Sequence, residues 1–159
     1  MRNLKIWRDY GALNKSLINE FAEKTGVVFP KSYIILLSKH DYLYPEENTF
    51  RFTNNDGEID ERDIVFFGYK QNYLEGQDIY SYSKIDDDYS YGKKIIAFGG
   101  SANGDYICFD YRRNNKDPSI ILMSHDDFYE DEEGNTKMVT NHIADSFDDF
   151  LEMLYEPLD

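Results

Sequence analysis

The residues of this chain able to attack a substrate, shuttle protons or hold a metal are three histidines, one cysteine and thirty-one carboxylates. Their spacing selects almost none of them. His40, His125 and His142 form no His-x-x-x-His pair, and a single Cys leaves no zinc pattern. Cys108 and His125 could meet in space as a nucleophile and base. No basic residue adjoins Cys108 to lower its thiol pKa, however, and a Cys inside an alternating strand reads as a small buried hydrophobe. Gly99-Gly-Ser-Ala-Asn-Gly104 follows an apolar run as a phosphate loop would. A Walker loop ends in Gly-Lys-Ser/Thr and opens a helix, whereas here Asp105 and a strand pattern follow, so a hairpin connection with positive φ is expected. Asn54-Asn-Asp-Gly-Glu-Ile-Asp-Glu61 has a superficial likeness to a calcium loop. With Gly57 in the sixth place, the first ligand position falls on Phe52, which has no oxygen to offer. The carboxylates are abundant, and no spacing singles out an acid–base pair. No catalytic residue, cofactor or functional metal site is therefore expected, and the weight moves from enzyme to binding module.

Charge is the stronger signal. The net charge is −14, and residues 124–159 supply most of it, with twelve carboxylates against Lys137 alone. Residues 1–40 run the other way, with seven Lys/Arg against Asp9, Glu20 and Glu23. The acidic end interleaves carboxylates with aromatics in His125-Asp-Asp-Phe-Tyr-Glu-Asp-Glu-Glu133. An aromatic ring beside carboxylates suits a wet, specific protein interface, because it supplies contact area at little entropic cost. The field steers in positively charged partners and repels nucleic acid and anionic membranes. Asp126, Asp127, Phe128, Tyr129, Glu130, Asp131, Glu132 and Glu133, with Asp86, Asp87 and Asp88, form the candidate partner-binding set. A solvated acidic loop that touches nothing is the competing reading of the same residues.

The elements that must position this set are legible in part. A length of 159 residues with 41 % hydrophobic and 16 % aromatic content predicts one folded domain. No apolar run is long enough to span a bilayer, the basic N-terminus lacks a signal-type apolar stretch, and the lone Cys fits a reducing compartment. A cytoplasmic protein, monomeric or weakly dimeric, is expected. Leu13, Leu17, Ile18 and Phe21 form one helical stripe, predicting a helix over about 14–25 stopped by Gly26. Pro30 predicts the first position of a second helix, ending near Lys39. Strands are predicted at 49–53, 63–67, 94–98, 106–111 and 119–123, and residues 70–92 predict a short helix followed by an exposed loop. Phe147, Phe150, Leu151 and Leu154 predict a closing helix over 146–155, capped by Asp145 or Ser146. Hairpin-length connections make the sheet mainly antiparallel. The fold class is α+β: a mainly antiparallel sheet flanked by helices in a single compact domain.

Three segments then form an ordered pattern. Gly26-Val-Val-Phe-Pro-Lys-Ser-Tyr33 leads into a Leu-rich helix. Ile95-Ile-Ala-Phe-Gly is followed by Gly104-Asp-Tyr-Ile-Cys-Phe-Asp-Tyr-Arg112, and Ile120-Ile-Leu-Met-Ser-His125 is later closed by Ile143-Ala-Asp-Ser-Phe-Asp-Asp-Phe-Leu151. Together they resemble the SUKH superfamily of bacterial toxin-immunity proteins, which has fungal relatives that regulate cell-wall synthesis. The match spans roughly residues 14–155, so 1–159 reads as one SUKH-like immunity domain. The resemblance implies an α+β domain that binds and neutralises a cognate toxin, often a nuclease, without a catalytic set of its own. A nuclease carries a basic groove, and an acidic protein complements it. The alternative is a non-catalytic intracellular scaffold or regulatory module, as the fungal relatives imply. The family often places Asn-Gly-Gly after the second helix. This chain has His40-Asp41-Tyr42, so the resemblance does not set the backbone there.

Overall fold

The computed structural model describes residues 1–71 and 76–158. Its elements run β1 (Ile6–Arg8), α1 (Lys15–Thr25), α2 (Lys31–Lys39), β2 (Tyr44–Pro45), β3 (Thr49–Thr53), β4 (Ile59–Asp63), β5 (Val65–Phe66), α3 (Ile79–Tyr82), β6 (Ile95–Gly100), β7 (Tyr106–Asp110), β8 (Ser119–Glu130), β9 (Thr136–Ala144) and α4 (Phe147–Met153). Strands β5 to β9 form a five-stranded sheet in sequence order, while β1–β2 and β3–β4 are separate two-stranded ribbons. Every pairing between these strands is antiparallel, so the α+β expectation holds. Among the described residues, no helix is long and apolar enough to cross a membrane.

The helix termini follow local chemistry. The Asn14 side chain accepts the Ser16 amide to start α1, and Gly26, at φ +78°, returns amide bonds to Ala22 and Glu23. Pro30 lies one residue outside α2, as its N-cap. Ser146 caps α4 by accepting the Asp149 amide. That helix stops at Met153, short of the predicted 155, because Tyr155 exchanges two backbone hydrogen bonds with Thr49. The predicted strand over 63–67 divides at Ile64. Residues 59–63 pair with β3, while Val65 and Phe66 pair with Gly100 and Gly99 at the edge of the main sheet. Gly99 is required there, since a Cβ would fall 2.9 Å from Ile64 and 3.0 Å from the Val65 carbonyl. In the 70–92 stretch, α3 is the short helix, and residues 72–75 lie outside the described residues.

Helices α1, α2 and α4 close over one face of the sheet through an aromatic cluster. Phe98 and Phe109 stack at 4.2 Å between ring centres, and Tyr33 and Phe147 meet both rings edge-on or tilted. Phe150 packs on Phe50 at 5.3 Å. All of Phe21, Leu36, Leu37, Phe98, Ile107, Phe109, Phe147, Phe150 and Leu151 are buried, as the sequence predicts. The opposite face is covered too. Cys108 and Ile121 point away from Phe109 and Ile120 yet are buried, and Lys84 lies 4.8 Å over the Tyr106 ring on that side.

The turn after α2 keeps a left-handed residue without glycine. Tyr42 has φ +53°, a conformation that costs a bulky residue about 1–3 kcal/mol. Its ring offsets that cost: it fills the slot between Gly68 and Gly76, where added Cβ atoms would fall within 2.0 and 2.2 Å of it. It also stacks on Tyr10 at 4.8 Å and donates to the Lys70 carbonyl. Beside it, buried Asp41 accepts the Tyr69 and Lys70 amides at 2.8 and 3.2 Å. Burial pushes the Asp41 carboxyl up, and those amides only partly offset it.

Phe150→Ala should destabilise the protein by roughly 3–5 kcal/mol in urea unfolding. Tyr42→Gly relieves the left-handed backbone but empties the slot. Since the ring is worth more than the strain, a net loss of about 1–3 kcal/mol is expected.

Candidate functional site

The acidic run is not a loop. Residues 125–130 form the outer half of β8, Asp131 to Asn135 make the turn, and β9 returns beside it. The result is a two-stranded arm extending past the end of β7, whose first residue, Tyr106, pairs with Met123. The arm changes register at its base. β8 advances from Met123 to Phe128 while β9 moves only from Thr140 to Met138. The extra residues form a bulge held by the Ser124 hydroxyl, which accepts the Asp126 and Asp127 amides at 3.3 and 3.0 Å. A bulge of this kind bends a strand and re-aims what lies beyond it.

The bulge is anchored by one buried carboxylate. Asp105 Oδ1 accepts the His125 amide at 3.1 Å and faces His125 Nδ1 at 2.6 Å, while Oδ2 accepts Arg62 Nε at 3.0 Å and Asn103 Nδ2 at 3.1 Å. Burial pushes this carboxyl up, but the bonds from His125, Arg62 and Asn103 outweigh it and hold Asp105 below its ordinary value of 3.8. Facing a carboxylate, His125 Nδ1 carries the proton. The sequence reading overlooked Asp105. Its only local signal is the Gly104-Asp105 pair opening a strand, and its partners lie 43 and 20 residues away. Donor atoms of Asp105, His125 and Asp126 lie within 4.8 Å of one another, a spacing compatible with a metal ion. Both Asp105 oxygens are already engaged, and the Arg62 guanidinium supplies the positive charge there. The cluster reads as a structural junction.

The conjectured Cys108–His125 pair does not form. Cys108 is buried in β7, burial pushes its thiol well above the ordinary range, and His125 Nδ1 is committed to Asp105.

The two acidic segments do come together. The Tyr89 ring meets Phe128 at 5.5 Å, its carbonyl accepts the Met138 amide at 2.9 Å, and the Tyr91 and Tyr129 hydroxyls lie 3.2 Å apart. Lys137, the one cation of the acidic end, donates to the Ser90 carbonyl at 2.9 Å. Burial pushes the Tyr91 phenol up, so it remains protonated and donates to the Met138 carbonyl at 2.6 Å. The outward surface combines exposed Tyr89, Phe128 and Tyr129 (49, 41 and 44 % accessible) with exposed Asp86, Asp88, Asp126, Asp127, Glu130, Glu132 and Glu133. Three members of the candidate set have internal duties, and Asp126 is one, accepting the Ser124 hydroxyl at 3.1 Å. Asp87 accepts the Tyr89 amide, and Asp131 accepts the Glu133 and Asn135 amides to shape the turn. At the base of the arm, Asp126 and Asp127 continue into a cleft of about 450 Å³ that Asp56, Asp60 and Arg62 also line.

Asp105→Asn should cost about 1–3 kcal/mol at neutral pH by weakening a buried, charge-assisted network. Because the folded pKa is lowered, the stabilisation from the Asp105 carboxylate is fully present above 3.8 and is lost as pH falls through the lower folded value. Urea midpoints for the two proteins, measured downward from pH 5, should therefore converge. A constant gap would contradict the assignment.

Among curated proteins, none matches this chain. A family model does: that of the SMI1 / KNR4 family (SUKH-1), over residues 12–153. The chain belongs to that family, and the match takes in the Asp105–His125 junction and the whole arm.

Proposed function

We propose that this SUKH-1 protein is a cytoplasmic immunity protein that binds a basic toxin domain and neutralises it by covering its working surface, without catalysis. The observation that carries the reading is the arm: exposed aromatics set among carboxylates on a braced hairpin. Family membership supports the immunity role. The surface chemistry supports the sign of the partner, since carboxylates at this density favour a Lys/Arg-rich face and oppose phosphate. Phe128, Tyr129 and Tyr89 act as anchors, and Asp86, Asp88, Asp126, Asp127, Glu130, Glu132 and Glu133 form the rim. Asp87 and Asp131 serve by holding the backbone. A nuclease is the toxin class whose phosphate-binding groove best complements this rim.

The test begins with affinity capture from source-organism lysate expressing its toxin genes, followed by association kinetics with the captured toxin. Neutralising Glu130, Glu132 and Glu133 together leaves the Asp131 turn intact. It should slow association and flatten its salt dependence, because exposed charges act mainly on the on-rate. Tyr129→Ala should instead speed dissociation by the equivalent of about 1–3 kcal/mol. An on-rate and salt slope that ignore the triple change would remove the arm as the docking surface.

A further inference from the structure

The arm has two edges, and among the described residues the chain closes only one. On the β9 side, the Met138 amide goes to the Tyr89 carbonyl, the Met138 carbonyl takes the Tyr91 hydroxyl, and the Thr140 carbonyl takes Asn55 Nδ2 at 2.9 Å. On the β8 side the pattern differs. Asp131 donates its amide across the arm to Asn135 at 2.8 Å. In a strand, alternate residues turn their backbone groups the same way, so Tyr129 also faces β9 while Phe128 and Glu130 face outward. Met138, opposite Phe128, agrees, since both of its backbone groups are directed away from β8. The outward amides of Phe128 and Glu130 have no hydrogen-bond partner among the described residues. Those of His125, Asp126 and Asp127 are taken by Asp105 and Ser124.

An open strand edge is a template for another strand. Here the surrounding charge decides which strand. A second copy would set Asp127, Glu130 and their neighbours against like charges, which opposes self-pairing. A Lys/Arg-bearing strand would set cations opposite Glu130 and beside Phe128. We propose that the free edge of β8 over residues 127–130 accepts an extended, basic segment of the partner protein as an added strand of the arm. Backbone hydrogen bonds at Phe128 and Glu130 give the affinity, and the acidic side chains give the sign. This rests on the arm being the docking surface and states how it docks.

The probe is a blocked hexapeptide alternating lysine and valine. Its controls are the same peptide with glutamate for lysine and one N-methylated on alternate residues. Amide hydrogen exchange is followed by NMR in the ¹⁵N-labelled full chain. The lysine peptide should slow exchange at Phe128 and Glu130 by at least about fivefold at saturation, with the controls inactive. Glu130→Pro deletes an outward N–H, leaves the β9 ladder in place and should abolish binding. Glu130→Ala, which removes only the charge, should weaken it. Equal binding of the N-methylated peptide to the wild-type chain, a test independent of how the proline variant folds, would overturn the added strand while leaving arm docking standing. Protection that grows with protein concentration alone would overturn it in favour of a second copy. Failure of the lysine peptide to protect the two amides would also overturn it, with arm docking then judged separately by the toxin kinetics.

Discussion

The outer half of the molecule depends on the carboxylate of Asp105. It ties Arg62 of the separate β3–β4 ribbon to the β6–β7 turn at Asn103 and to the bulge of β8 at His125, just past the last β7–β8 pair, Tyr106 with Met123. Removed from water, such a group is tolerated only when its lone pairs are filled. Here both oxygens are filled, and by donors of which one is charged. The network thus sets where β8 departs from the sheet and in which direction the arm projects. Asp105, just before β7, and His125, in β8, are thus the two halves of one contact.

The inner half rests on a different balance. The aromatic cluster around Phe98 and Phe109 lies at the centre of the buried core, and two of its tyrosine hydroxyls pair within it. Tyr33 and Tyr69 share a hydrogen bond at 2.8 Å, burial pushes both phenols up, and the Tyr69 amide is received by Asp41. The turn after α2 lies in the same region and carries Asp41 and Tyr42. Backbone strain is offset by packing: Tyr42 holds a left-handed φ while its ring fills a slot that two glycines leave open.

These halves divide the work. A rigid core lets the arm carry a high density of like charge without collapsing, because its strand pairing, the Asp131 turn and the Tyr89–Tyr91 brace oppose the repulsion. Exposed carboxylates contribute little to such a fold. Their consequence is a long-range field.

The sequence by itself determined the elements whose signals are local. Asn14 and Gly26 bound α1, Asp145-Ser146 marks the start of α4, and the helical spacing of Phe147, Phe150 and Leu151 marks a face that is buried as expected. It also determined the family, through motifs in fixed order. Only the tertiary structure decided that 59–63 and 125–130 are strands. Both are dominated by polar and charged residues with no buried alternating face, so their strand character comes from pairing with β3 and β9 and is invisible to periodicity. Strand β9, Thr136–Ala144, buries Met138, Ile143 and Ala144 without regular alternation, so its strand character too comes from pairing with β8. The union of Asp105 with His125, and of residues 86–91 with the arm, was likewise out of reach. Hydrogen bonds between segments far apart in sequence leave no spacing to read, because chain geometry alone brings their donors and acceptors together.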